Sequence, residues 1–160
     1  MGAGVVRLAG VAVRGATYVL LALPAVIVVA SSVSRTTYLT FPPQGFTLDW
    51  YRRALESPAF MDSLALSTEL ALAATVLALA IGTPAAYAID RRRFPGRAAF
   101  QAFLLSPMIV PLVVLAIGLL QLLTWLGLGQ PFLRLLVGHV VITVPYVVRT
   151  MTASLSLFDR

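Results

Sequence analysis

The sequence alternates long apolar runs with short polar ones, and four of the apolar runs reach the length of a membrane span. They lie at residues 15–33, 63–89, 98–123 and 132–153. A helix needs about 20 apolar residues to cross the hydrocarbon core of a bilayer. Runs such as "LALAATVLALAIG" do not alternate between polar and apolar positions, as the strands of a membrane barrel do. The pattern predicts an all-α fold, a polytopic membrane helical bundle with four transmembrane helices.

A single long polar stretch separates the first apolar run from the other three. Pro42, Pro43 and Gly45 predict an irregular loop in its first half. Thr47 before "LDWYRRALES" predicts the N-cap of a short amphipathic helix that ends near Pro58. Aromatic side chains favour the membrane–water interface, where we expect Trp50, Tyr51 and Phe60. The chain thus divides into an N-terminal helix with an external segment, residues 1–62, and a core of three helices, residues 63–160.

Composition supports a membrane environment. Hydrophobic residues make up 59% of the 160 residues and charged ones 11%, whereas soluble domains carry about 25% charged residues. A soluble fold of this size could not cover so much apolar surface.

Charge predicts the orientation. The formal net charge is +6, every basic residue is an arginine, and four of them crowd into "IDRRRFPGRAAF": Arg91, Arg92, Arg93 and Arg97. No aromatic side chains interleave with them as stacking platforms for bases, so we expect no nucleic-acid binding. Arginine-rich short loops stay in the cytoplasm. We therefore expect both termini and this loop on the inner side of the cell membrane, with the four arginines in contact with anionic lipid.

Candidate chemistry is sparse. His139 stands without a carboxylate or second histidine nearby, whereas a zinc site needs three or four ligands. The chain has no cysteine and no lysine, which excludes thiolate chemistry and a Walker-type nucleotide loop. We expect Glu69 at the outer interface and Arg149 near the inner one. The sequence predicts no enzyme activity, no catalytic residue, no metal and no cofactor.

Prolines are the more informative residues. Pro107 and Pro111 lie one turn apart in the third apolar run, and Pro145 lies inside the fourth. A proline removes a helical hydrogen bond and bends the helix, and bent helices at mid-membrane are common in transporters. We expect the third and fourth helices to bend, either to form a substrate path or simply to pack. The pattern favours part of a transporter over a membrane enzyme.

The order of these segments resembles a known family. "AYAIDRRRFPGRAAFQAFLLSPMIVPLVVLAIGLL" is similar to the core of inner-membrane permeases of binding-protein-dependent ABC importers. "GHVVITVPYVVRTMTASLSLFDR" and "FTLDWYRRAL" resemble the spermidine/putrescine-type branch. The resemblance implies a permease subunit that moves a small, polyamine-like solute. It also implies a second permease subunit, ABC ATPase subunits and an extracytoplasmic solute-binding protein as partners. The candidate path residues are Pro107, Pro111, Pro145 and Tyr146.

The sequence leaves alternatives for the extent of the protein, its function and its substrate. Family members continue into a cytoplasmic Glu-Ala-Ala loop where this sequence stops at Asp159 and Arg160, so we expect either a fragment of a permease with six spans or a truncated gene. A membrane-bound lipid-modifying enzyme and a non-transporting permease remnant are the alternatives. Related branches import phosphonates, ferric iron or thiamine-like solutes; for a polyamine, Tyr87, Trp125 and Tyr146 are the available aromatic side chains.

Overall fold

The fold is helical throughout the described residues. A computed structural model describes residues 2–38, 40 and 42–158, with side chains from residue 6 onward, and no strand occurs among them. The predicted all-α class is confirmed, while Asp159 and Arg160, where the family loop was expected to begin, lie outside the described residues. The helices are α1 Gly2–Ser32, α2 Asp49–Glu56, α3 Pro58–Arg91, α4 Arg97–Leu105, a 3-10 turn Ser106–Met108, α5 Leu112–Trp125 and α6 Pro131–Leu155.

Three of these helices are long and apolar enough to cross a membrane, namely α1 from Val6, α3 and α6. The third predicted span is not one helix. It consists of α4 and α5, whose axes are bent by 104° at a short break. The described chain therefore has three membrane-capable helices, or four if this bent pair counts as one span.

Two prolines explain the break between α4 and α5. Pro111 has no N–H to donate and adopts φ −53° and ψ 129°, an extended conformation that ends the helical path. Pro107 lies in the 3-10 turn, closed by the Ile109 N–H donating to the Ser106 carbonyl at 3.0 Å. The expected bend of the third span is present, and it is a break rather than a kink. By contrast, α6 continues without interruption through Pro145.

The chain divides into two compact units, residues 1–62 and 63–160. In the first, the loop between α1 and α2 is organised around Ser34, which is 1% exposed. Its hydroxyl accepts the Gln44 N–H at 3.1 Å, and its carbonyl accepts the Trp50 indole N–H at 2.8 Å. The predicted N-cap is wrong by one residue. Leu48 occupies the cap position, and Thr47 Oγ1 accepts the Asp49 N–H from just outside it at 3.1 Å.

The core of the second unit lies between α3 and α6. Buried residues recur along α3 mostly at every fourth position, and most are small: Leu70, Ala74, Ala78, Gly82, Ala86 and Ile89. Val144 and Val148 of α6 complete this cluster. At Gly82 a Cβ atom would lie 2.7 Å from Val147 Cγ1, so only glycine permits this approach without a shift of α6. The remaining elements α4, α5 and the 3-10 turn also contact α6.

Candidate functional site

One face of α6 is polar and largely exposed, with Thr143 half-buried. Its residues are spaced by four, three and four positions, which places them on a single side of an α-helix: His139, Thr143, Tyr146 and Thr150. We call this set the polar stripe. Tyr146 is 57% exposed, and His139 and Thr150 are also exposed. The opposite face carries Val144 and Val148, which pack in the core. Thus α6 has one apolar face packed within the unit and one polar face without a partner in the described chain.

The helical threonines differ in whether their hydroxyl is hydrogen-bonded within the helix. Four of them, Thr17, Thr68, Thr75 and Thr124, donate to the carbonyl four residues earlier at 2.7 to 2.9 Å. The Thr152 hydroxyl of α6, by contrast, is buried without a hydrogen-bond partner among the described residues. Neither Thr143 nor Thr150 forms a side-chain hydrogen bond with any described residue. A polar group left unsatisfied in hydrocarbon is costly, so such groups face protein or water. The polar stripe is therefore unsuited to contact with lipid tails.

His139 belongs to the same stripe. Its Nδ1 lies 2.7 Å from the Leu135 carbonyl of its own helix, which leaves Nε2 available on the exposed side. No group of three or more His, Cys, Asp or Glu side chains among the described residues is arranged to hold a metal ion. The ring is thus a polar component of the stripe, hydrogen-bonded within the helix.

The four candidate path residues occupy different environments. Pro145 is fully buried, whereas its neighbour Tyr146 projects outward. Pro107 is half-buried and Pro111 exposed, both at the break that precedes α5. The 3-10 turn containing Pro107 contacts α6. Tyr146 and Pro111 are therefore accessible for direct contact with a solute. Pro145 is not, and it can affect a path only through the shape and packing of α6.

Other residues singled out in the sequence are scattered. Glu69 and Arg149 are exposed, and neither forms an ion pair within the described part of the chain. Tyr87 is 50% and Trp125 82% exposed. Sequence reasoning missed Thr143 and Thr150, although their helical spacing from His139 and Tyr146 was visible in the sequence.

Arg134 was also missed. Its Nε donates a hydrogen bond to the Leu128 carbonyl in the turn that follows α5. This bond ties the start of α6 to a turn that has no charge of its own. Its position in the sequence could have indicated this role, because Arg134 is the only charged residue close to "WLGLGQP".

We call residues 91–97 the arginine loop. Its four arginines, together with Asp90, line a separate cavity of about 290 Å³. Arg91 is half-buried, whereas the side chains of Arg92, Arg93 and Arg97 are exposed. The sequence analysis assigned the same role to all four arginines, whereas the structure shows that they differ in burial.

The first unit contains a cavity of about 590 Å³. Aromatic and hydroxyl side chains line it, including Tyr38, Trp50, Tyr51 and Phe60. The Tyr51 hydroxyl lies 2.6 Å from Ser32 Oγ. Two of the residues expected at the interface, Tyr51 and Phe60, are about half exposed.

No protein-family model matches the chain. The spermidine/putrescine transport system permease protein PotC of Haemophilus influenzae is 33% identical over 143 residues, 89% of this chain and 55% of that protein. The putrescine transport system permease protein PotI of Escherichia coli is 30% identical over 123 residues, 72% of this chain and 44% of that protein. The alpha-glucoside transport system permease protein AglG of Rhizobium meliloti is 39% identical over 88 residues, 55% of this chain and 23% of that protein.

These similarities confirm the resemblance to spermidine/putrescine-type permeases that the sequence predicted. The chain spans about half the length of the polyamine permeases that it matches. All three relatives are transport permeases, a class without enzymatic activity, so the lipid-modifying enzyme is not favoured.

Proposed function

We propose that this chain, a relative of the polyamine permeases over most of its length, forms part of a permease subunit of an ABC importer for a small, polyamine-like solute. The polar stripe of α6 carries the proposal. A membrane-capable helix with hydroxyl, imidazole and phenol groups on a largely exposed face needs water or protein beside that face. A solute path between two permease subunits supplies both.

The remaining partners follow from the similarity to importer permeases. A second permease subunit closes the path on the side that the polar stripe faces. ABC ATPase subunits drive the cycle from the cytoplasm, and an extracytoplasmic solute-binding protein delivers the solute. The residues 1–62 and 63–160 then serve as an external segment with its anchor and as part of the transport core.

A polyamine suits the chemistry of the stripe. The Tyr146 ring attracts an ammonium group by a cation–π interaction, and the threonine hydroxyls accept hydrogen bonds from it. No carboxylate occurs within α6, so charge balance in the path has to come from other segments. The similarity to AglG shows that the shared sequence is not restricted to polyamine systems, and the substrate assignment therefore depends on Tyr146.

The proposed permease segment has a defined orientation in the membrane. The N-terminus and the arginine loop lie in the cytoplasm and the Pro42 region outside, because short arginine-rich loops are retained inside. The α4–α5 pair then crosses the membrane as one broken span, and the C-terminal end of α6 is cytoplasmic. The four arginines lie on the cytoplasmic side, at the inner leaflet of the cell membrane. Pro107 and Pro111, at the break, form a hinge of the path.

Uptake of radiolabelled spermidine tests the function. The full permease that contains this segment is expressed with its partner proteins in cells lacking their own polyamine uptake. Tyr146→Ala is expected to lower uptake by about tenfold, since a partly desolvated cation–π contact contributes about 1 to 2 kcal/mol. Tyr146→Phe is expected to retain most of it, because the ring remains.

Tyr18→Ala is the matched control. Tyr18 is also an exposed tyrosine, 70% exposed compared with 57% for Tyr146, and it lies on the apolar helix α1. Uptake within twofold of wild type is expected for this variant at equal protein level. Equal uptake by Tyr146→Ala and wild type would contradict the assignment. Co-purification with a full-length permease, without any uptake in the absence of that partner, would favour the non-transporting remnant.

A further inference from the structure

The arginine loop contains one structural arginine and three free ones. Arg91 Nε lies 3.1 Å from Asp90 Oδ2, and the two side chains are 23% and 6% exposed. Arg91 Nη2 also donates to the Leu155 carbonyl at 3.4 Å, which joins the end of α3 to the end of α6. The charge of Arg91 is therefore balanced by a buried carboxylate. Asp90 Oδ2 has no hydrogen-bond partner of good geometry within the described chain, so this ion pair is its main compensation.

The other three arginines have no such partner. The exposed side chains of Arg92, Arg93 and Arg97 make no ion pair or side-chain hydrogen bond with any described residue. Together with the Asp90–Arg91 pair they line the cavity of about 290 Å³. Three uncompensated positive charges around one concave surface favour an anion over any neutral ligand.

Backbone groups add to this positive surface. Gly96 adopts φ +81°, a left-handed conformation that turns the chain so that α4 begins at Arg97. The N–H groups of Ala98 and Ala99 have no acceptor among the described residues, and Gly96 has no side chain to cap them. Free N–H groups at a helix N-terminus favour an oxyanion. The guanidinium groups line the cavity, and the free backbone N–H groups follow Arg97 in the first turn of α4. Both kinds of donor fit phosphate.

The apolar surface beside the cavity indicates which phosphate. Phe103 on α4 is 73% exposed and Phe100 is 40% exposed, with Phe100 held edge-on to Phe94 at 6.2 Å between ring centroids. Directly before the cavity, α3 is a membrane-capable helix that ends at Arg91. A ligand with a phosphate group and long apolar chains matches both surfaces, whereas a free phosphate uses only one of them.

We infer that Arg92, Arg93 and Arg97 hold the phosphate of an anionic phospholipid from the cytoplasmic leaflet, with its acyl chains along the exposed phenylalanines of α4. Arg91 does not take part in this site. The inference rests on the proposed orientation in the membrane and not on transport of any solute. Loss of spermidine uptake therefore leaves it unaffected.

Lipid preference of the purified 160-residue chain tests the inference. The chain is reconstituted in phosphatidylcholine nanodiscs with spin-labelled phosphatidylglycerol or spin-labelled phosphatidylcholine, and the immobilised fraction is measured. Wild type is expected to prefer phosphatidylglycerol, and each of Arg92→Gln, Arg93→Gln and Arg97→Gln to lower that preference by about fivefold, from roughly 1 kcal/mol per basic residue at a membrane surface. High salt is expected to weaken the preference as well.

Two controls exclude a general charge effect. The triple variant Arg35→Gln, Arg52→Gln and Arg53→Gln removes three positive charges from the first unit, more than any of the single variants, and is still expected to keep the preference. Arg91→Gln is expected to keep the preference too, while lowering the thermal stability of the chain, because Asp90 loses its ion pair. An unchanged preference in the Arg92, Arg93 and Arg97 variants overturns the inference, as does an equal loss in the first-unit triple variant.

Inorganic phosphate distinguishes the two sources of the ligand. Titrated into the detergent-solubilised chain, it is expected to bind weakly and to displace phosphatidylglycerol only at concentrations far above those of the lipid. Tight binding of inorganic phosphate with equal immobilisation of the two lipids would show a free-phosphate site instead and would overturn the lipid assignment.

Discussion

Helices α1 and α6 are both apolar enough to cross a membrane, and they differ in how their polar groups are arranged. The most apolar part of α1 has a mean hydropathy of 2.0, and none of it is buried. The most apolar part of α6 has a mean hydropathy of 1.7, and 17% of it is buried. From Val19 to Ala30, α1 carries no polar side chain, and the Thr17 hydroxyl is satisfied by the Val13 carbonyl at 2.9 Å. In α6, the polar groups form a stripe that has no partner in the described chain.

The difference shows that hydropathy identifies membrane-capable helices but does not identify the face of a helix that needs a polar neighbour. Lipid tails suit residues 19–30 of α1, because this part of the helix carries no polar side chain. They do not suffice for α6, since the Thr143 and Thr150 hydroxyls need a partner. The exposed polar groups of α6 therefore need protein or water beside them, which the proposed path would supply.

The largest expected effect is an all-or-none labelling pattern, which tests whether both helices cross the membrane as drawn. Single cysteines are introduced into the cysteine-free chain at Gln44, Gly96, Gly129 and Leu157. With an impermeant thiol reagent added to intact cells, we expect labelling at positions 44 and 129 and none at positions 96 and 157. This pattern requires the bent α4–α5 pair to cross as one span.

A different pattern would redefine α6. If the α4–α5 pair is re-entrant, position 129 is protected and position 157 is labelled, so that α6 crosses in the opposite direction. Such a result would contradict the proposed cytoplasmic location of its C-terminal end. Labelling after permeabilisation serves as the control that each cysteine is reactive.

The next effect compares a carboxylate on each helix. Val19→Asp places a charge near the middle of α1, at a side chain that is 65% exposed, and Thr143→Asp places one near the middle of α6. A charged side chain at the centre of a lipid-facing helix costs about 2.5 to 3.5 kcal/mol. We expect Val19→Asp to lower the amount of membrane-inserted permease severalfold and Thr143→Asp to be tolerated better, because the stripe faces a polar environment. Quantitative blots of membrane fractions measure both, and equal losses would remove the proposed difference.

The smallest effect concerns the packed face that holds the stripe in place. Gly82→Ala forces a methyl group against Val147, and overpacking of this kind costs about 1 to 3 kcal/mol. Gly118→Ala in α5 is the matched control, since nothing lies within 4 Å of a Cβ atom there. It is expected to leave the free energy of unfolding unchanged or to raise it by up to about 1 kcal/mol. Unfolding in detergent measures the two; a stable Gly82→Ala variant would argue against close packing of α3 on α6.

Much of the fold follows from the sequence because membrane helices have a strong and simple signal. The long helices α3 and α6 extend only a few residues beyond their predicted bounds, at Pro58–Arg91 and Pro131–Leu155. The third span was predicted as one bent helix, because composition cannot reveal how far two prolines turn the chain. Pro111 ends the helical path, whereas the same residue type at Pro145 does not, since its ring is accommodated in the buried packing of α6.

The candidate site was less predictable than the fold. Tyr146 was named from the sequence, and the helical spacing of its neighbours on the stripe is visible there, but only the structure shows that this face of α6 is the exposed one. The four arginines look alike in the sequence, and only the proximity of Asp90 and the Leu155 carbonyl identifies Arg91 as structural. The path-lining roles of Pro107, Pro111 and Pro145 stay predictions.

The central claim is that the polar stripe of α6 faces a water-filled path, and cysteine accessibility in the assembled permease tests it most directly. Cysteines at Thr143, Tyr146 and Thr150 are compared with one at Leu20, a 70% exposed side chain of α1, for reaction with a small, charged thiol reagent. We expect the three stripe positions to react, with spermidine slowing the reaction at position 146, and position 20 to stay unmodified. Unreactive cysteines at all three stripe positions would contradict the account, as would reaction at position 20 at the same rate.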